Sequence, residues 1–182
     1  MELDLRLVRE LSTDDRRELR EFVEQFHDPP ESAQLLSWAK VNPDADLMIR
    51  VREDGRLVSR VVVLERTILV DGRRARAGGI SGVRTHPEYR RRGYASAAMR
   101  CATDVFWQDL RVELGLLLSS EMAVPFYRSL GWEVLNGPVL CEGPDGGVVN
   151  YTELKPQCPA MALVPAGGRL PVGPVDLCGL PW

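Results

Sequence analysis

Near the N-terminus Leu3, Leu5 and Leu7 alternate with charged residues, a pattern that predicts a half-buried first strand. The spacing then becomes helical. Leu19, Phe22, Val23 and Phe26 fall at i, i+3, i+4 and i+7 behind Ser12-Thr13-Asp14, so an amphipathic helix is expected over Asp14 to Gln25, stopped by His27-Asp28-Pro29-Pro30. A shorter helix is expected over Glu31 to Lys40, with Leu35, Leu36 and Trp38 as its apolar members and a turn at Asn42-Pro43-Asp44 after it.

Turn chemistry then sets the pattern. Asp54-Gly55 joins Leu47–Arg52 to Arg56–Leu64, and Asp71-Gly72 joins Ile68-Leu69-Val70 to a strand containing Ile80, which gives antiparallel strands two, three and four. The fourth, Gly79 to Thr85, ends at His86-Pro87, and a helix rich in small residues starts at Ala95, with Ala98, Cys101, Ala102, Val105 and Phe106 on its core face. Leu114–Leu118 is nearly all aliphatic and bounded by Ser119-Ser120, as expected of a buried, parallel central strand. Gly131 reads as a helix C-cap, Trp132 to Leu140 as strand six, Cys141 to Gly147 as a mobile loop, Val148 to Leu154 as a continuing strand, and Met161 to Val164 as the last one.

The 182 residues, 45% of them hydrophobic, suffice for one domain with a substantial core. The expected class is α/β (α+β mixed sheet), a single domain over 1–164 whose sheet is mostly antiparallel. Residues 165–182 carry Pro165, Pro171, Pro174 and Pro181, which exclude a helix and most strand pairing; this tail is expected to fold over the domain with Leu180-Pro181-Trp182 as a lid.

A net charge of −3 gives no bulk attraction to nucleic acid or an anionic membrane and tolerates a cationic substrate. Cys101, Cys141, Cys158 and Cys178 lack paired spacing, and His27 and His86 are the sole imidazoles, so reduced thiols, no metal and a cytoplasmic setting are expected. The charged N-terminus has no apolar targeting core. A homodimer stays open.

The candidate chemistry centres on Gly78 to Trp107. A strand followed by Arg90-Arg91-Arg92-Gly93-Tyr94 and a slim helix starting at Ala95 is an anion trap: unpartnered amides and the positive end of the helix dipole meet a phosphate, and the arginines add forked donors. The arginine run alone would read as a solvated face.

The spacing Arg90-x-x-Gly93-x-Ala95 resembles the acyl-coenzyme A diphosphate loop of the GNAT superfamily of N-acetyltransferases, and Phe126-Tyr127-Arg128-Ser129-Leu130-Gly131-Trp132 resembles the short tyrosine helix that follows that family's fifth strand. The resemblance covers about Leu47 to Leu135 well and implies a GNAT fold, with parallel strands four and five splayed around acyl-CoA. It also implies acetyl-CoA as co-substrate and an amine acceptor. Val83, Arg84, Thr85, Arg90, Arg91, Arg92, Gly93, Tyr94, Ala95 and Ser119 would then bind the cofactor, with the Val83 N–H polarising the thioester carbonyl. Tyr127 would serve as general acid toward the departing thiolate; packed with its hydroxyl on water, it would be structural instead. Asp28, Glu31 and Trp38 fall in the segment that lies over the acceptor in GNAT enzymes, and also read as a solvated loop with a core tryptophan.

Within the superfamily the chain is similar to aminoglycoside 2'-N-acetyltransferases, through Gly78-Gly79-Ile80-Ser81-Gly82-Val83, Tyr127…Gly131-Trp132 and Cys178…Trp182. It departs from them twice: Ser81 stands where they carry a glutamate and Leu180 where they carry an aspartate. Serine is a poor base, so deprotonation would pass through water linked to Glu31, Glu121 or the Trp182 carboxylate. Two fewer carboxylates point to a less charged aminocyclitol such as kasugamycin. The other readings are a GNAT enzyme for another small amine or a protein N-terminus, and a CoA-binding module without catalysis.

Overall fold

The computed structural model describes residues 1–26 and 46–182. The predicted Glu31–Lys40 helix, with Asp28, Glu31 and Trp38, lies outside the described residues. In chain order the elements are β1 (Glu2–Leu7), α1 (Thr13–Glu24), β2 (Leu47–Glu53), β3 (Arg56–Val70), β4 (Arg73–Thr85) and α2 (Tyr94–Asp104). After them come β5 (Leu114–Leu118), α3 (Val124–Arg128), β6 (Glu133–Val134), β7 (Val139–Glu142), β8 (Val148–Asn150), α4 (Tyr151–Leu154), β9 (Ala160–Leu163) and β10 (Val175–Asp176).

All the described strands join one mixed sheet in the order β6-β9-β5-β4-β3-β10-β7-β8, with β2 and then β1 continuing from β3. The β2–β3 and β3–β4 hairpins turn at Asp54-Gly55 and Asp71-Gly72, all four residues at positive φ, as the sequence predicts. The β4–β5 pair is parallel, Ala77↔Leu114 through Ile80↔Leu117. The expected mixed α/β class and GNAT-type sheet are therefore what the chain forms.

Four local expectations are corrected. In β1 Leu7 is half-buried as expected, but Leu3 and Leu5 are 46% and 40% exposed. Asp4 instead turns toward Arg50, which is buried between Asp4 and Asp15. Strand six breaks into β6 and β7 because Gly137 lies against the backbone of Gly173 and Pro138 can give no ladder N–H. The strand over 148–154 stops at Asn150, whose side chain accepts the Thr152 N–H at 3.2 Å and caps α4. The tail does pair: Val175 and Asp176 lie antiparallel to Val70 and Leu69 and parallel to Val139 and Leu140. Its prolines bracket the two paired residues.

The core follows from a glycine notch. Side chains at Gly78 and Gly115, neighbours across β4 and β5, would collide with the Phe106 ring at 2.3 and 2.7 Å. Phe106 sits in a π-helical turn that extends α2, where the Leu110 N–H reaches Val105 O at 2.9 Å. Its ring seats that helix directly on the sheet. Gly78→Ala is expected to overpack this contact and destabilise the fold by about 2–3 kcal/mol, seen as a lower midpoint in urea.

A capping box of Ser12 and Asp15 starts α1, and Asp15 also reaches Arg50. Hydrogen bonds from Arg50 and Ser12 hold the Asp15 carboxyl far below the usual carboxylate range. Burial pushes Asp4 upward, but bonds from Arg6 and Arg50 outweigh it and lower that carboxyl too. Both groups are depressed in the folded state, so their stabilisation is complete above the ordinary carboxylate value of about 4 and is lost as pH falls below it. Arg50→Met should flatten the drop in melting temperature between about pH 5 and pH 3.

Candidate active site

β4 stays paired to β3 along its whole length but leaves β5 after Ile80. The register between Arg60↔Arg84 and Val62↔Ser81 places an extra residue on β4, a bulge at which Gly82 takes φ +57°. β5 meanwhile follows β9, and the Ser119 N–H bonds Pro159 O at 3.0 Å. The parallel pair therefore opens as a wedge.

A cleft of about 330 Å3 fills the wedge. Ser81, Gly82, Val83 and Arg84 form one wall, Leu118, Ser119 and Ser120 the other, and Tyr127 also lines the cleft. Trp182 and Pro181 close one side, joined by Tyr151 and Cys158. Of the residues expected at the site, Ser81, Val83, Arg84, Ser119, Tyr127 and Trp182 are thus brought together. Trp182 is fixed by Arg66, whose guanidinium lies 4.8 Å from the indole and donates to Leu180 O at 2.6 Å.

The second half of the site is the loop before α2. Gly93 caps the helix at φ +84°, a left-handed conformation that a residue with Cβ adopts at a cost. The first helical bond is Ala97 N–H to Gly93 O at 2.9 Å, which leaves the amides of Tyr94, Ala95 and Ser96 without intrahelical partners. They border a hollow of about 360 Å3 shared with Thr85, Arg90 and Arg91. Tyr94 turns inward, its ring buried and its hydroxyl bonded to Glu53. Arg92 stacks 5.1 Å above Tyr89, outside that hollow.

Tyr127 is buried in contact with Trp132, and its hydroxyl bonds to no described residue. Burial pushes this phenol up to about 12, while Arg84 pulls the other way. It is therefore a full proton donor at neutral pH. Glu121 lies exposed on the turn before α3 and does not border the cleft. Among the described residues, the cleft wall holds no Asp, Glu or His.

The sequence reading missed Arg60, Tyr151 and Cys158. The signal for Arg60 was available as a lone cation in the otherwise apolar run Val61-Val62-Val63-Leu64 that follows it. Tyr151 and Cys158 gave none, because their place depends on the turn at Asn150. No described helix is long and apolar enough to cross a membrane.

Comparison with known proteins agrees with this geometry. The family model for the acetyltransferase (GNAT) domain matches residues 7–135. No curated protein matches the sequence. Among solved structures, a conserved protein of Enterococcus faecalis V583, a probable N-acyltransferase, shares 22% identity at TM-score 0.54 over 74% of this chain. The chain spans 33% of that protein's length. The ribosomal-protein-S18-alanine N-acetyltransferase of Escherichia coli shares 16% identity at TM-score 0.54, covering 90% of this chain and 94% of its own. The PaiA N-acetyltransferase of Thermoplasma acidophilum, solved with coenzyme A, shares 12% identity at TM-score 0.59, covering 91% of this chain and 100% of its own. The stretch matched by the family model contains both the loop at Gly93 and Tyr127, the two parts that flank the wedge, and the chain belongs to the GNAT acetyltransferase family.

Proposed function

We propose that the protein transfers an acetyl group from acetyl-CoA directly to the amino group of a small acceptor held in the cleft. The observation that carries this is the continuity of unpartnered helix amides, an unpaired strand edge and a buried tyrosine around one wedge. The residues present suit such a co-substrate. The amides of Tyr94 to Ser96, with Arg90 and Arg91, would hold its diphosphate. The β4 edge around Val83, released from β5, would take the pantetheine arm like an added strand, its N–H set toward the thioester oxygen.

Bound acetyl-CoA supplies a thioester, an acyl group with a thiolate leaving group. Tyr127 holds its proton at Oη through the neutral range and would give it to the sulfur as the thiolate departs. Trp182, against the thioester side of the wedge, would keep water out. With no Asp, Glu or His side chain in the described wall, the acceptor would attack from its neutral form.

The acceptor is less defined by family than by this wall. Acetylation of an aminoglycoside at its 2'-amine is supported by the resemblance in Gly78–Val83, Tyr127…Trp132 and Cys178…Trp182. A polycation would need carboxylates, and Ser81, Leu180 and the cationic Arg84 stand at or near the wall instead. Another small amine fits the described residues better than a classical aminoglycoside.

A thiol-release assay with acetyl-CoA against kasugamycin, aminoglycosides, polyamines, amino acids and peptides tests the assignment; release of thiol with none of them, together with no binding of acetyl-CoA, would overturn it. Tyr127→Phe should lower kcat by about 10²–10⁴ while acetyl-CoA affinity stays within a few fold. In the wild type, kcat/KM should rise with pH toward the acceptor's own amine value and show no descending limb near the ordinary phenol value of about 10. Arg91→Glu should weaken acetyl-CoA binding at least tenfold, measured by calorimetry.

A further inference from the structure

Among the described residues, Arg60 is the one cation beside the cleft whose position the transfer chemistry leaves unexplained. It lies on β3 opposite Arg84, at the bulge. Its guanidinium rests on the bare Cα of Gly82, with Nη1 3.5 Å from where a Cβ would stand. Gly82 and Arg84 both border the cleft. Arg60 Nε is sealed from solvent with no hydrogen-bond partner. Among the described residues no carboxylate acts on the group: burial lowers its proton affinity and the like charge of Arg84 lowers it further.

A guanidinium stays charged in proteins, and a buried charge is ordinarily paired. Arg66, further along β3, illustrates the usual solution, since carbonyl oxygens and an indole surround it and the charge of Asp46 supports it. Arg60 has no such set. Two guanidinium groups at one bulge, one of them without a counter-charge, form a receptor for an oxyanion, and their fork geometry suits a carboxylate or a phosphate. Arg84 also reaches the reaction centre, since its charge acts on Tyr127.

We propose that the acceptor is a small amine that also carries an oxyanion, a carboxylate or a phosphate, and that Arg60 with Arg84 binds that group at the Gly82 bulge. This rests on the acetyltransferase reading and narrows it away from polycations. The oxyanion end would lie toward β3 and the amine toward Tyr127, so the pair fixes orientation as well as affinity.

Matched acceptors test it: the common amino acids against their amides, phosphoethanolamine against ethanolamine, and kasugamycin and spermidine as cationic members. The anionic member of each pair should be used at least tenfold better in kcat/KM, and the two series separate carboxylate from phosphate. Arg60→Met should erase that advantage with acetyl-CoA affinity unchanged, and Arg60→Lys should restore part of it. Calorimetric titration of inorganic phosphate into CoA-loaded protein provides a second reading that needs no turnover: binding should weaken at least tenfold in Arg60→Met. Preference for the amides or the polyamines, or phosphate binding indifferent to Arg60, would overturn the proposal while acetyl-CoA binding kept the acetyltransferase reading intact. Failure to bind acetyl-CoA would overturn both.

Discussion

Everything functional in this molecule depends on β4 having two neighbours that disagree. β3 holds it along its full length, through the bulge at Gly82, while β5 shares only the stretch from Ala77 to Ile80 before following β9. A strand bent by a bulge and a strand pulled toward a different partner must separate. The separation leaves backbone donors on an interior strand, which soluble folds normally pair. An extended ligand can supply the missing ladder, so the cleft is a consequence of pairing geometry before any side chain is considered.

Packing then keeps the parts of the site in register. Phe106 drops into the notch at Gly78 and Gly115 and stands 6.4 Å from Trp132, which stands 6.5 Å from Tyr127. One chain of edge-on rings therefore links the helix that presents the loop amides to the Tyr127 side chain. All three aromatics are buried, and rings packed at interior density have little freedom to shift separately. The distance between the hollow at the start of α2 and Tyr127 is set by the core.

The parts legible in the sequence are those whose determinants are local. Asp54-Gly55 and Asp71-Gly72 encode their hairpins through positive φ, the Leu114–Leu118 run announces a strand buried on both faces, and Gly93 before a run of small residues marks the start of α2. The parts that were hidden depend on distant partners. Leu3 and Leu5 look like an inward face until Arg50, far along the chain, draws Asp4 inside. Pro171 and Pro174 argue against pairing in the tail, yet Val175 and Asp176 fill a slot between β3 and β7 that local sequence does not reveal. At the site, a bulge that needs both β3 and β4 is what brings Arg60 against Gly82.

The composition of the described cleft wall bears on how an amine could be acetylated without an evident base. A cation beside the acceptor disfavours its ammonium form and so raises the share of neutral amine at a given pH. Arg84 already exerts such a field on Tyr127, and Arg60 adds a second charge in a place of low solvent access. The same two residues would then orient the acceptor and prepare its nucleophile, while burial keeps the Tyr127 proton in place for the thiolate. Proton removal by local field and proton delivery by a desolvated phenol would be complementary uses of one partly dry wedge, and neither would call for a carboxylate at Ser81.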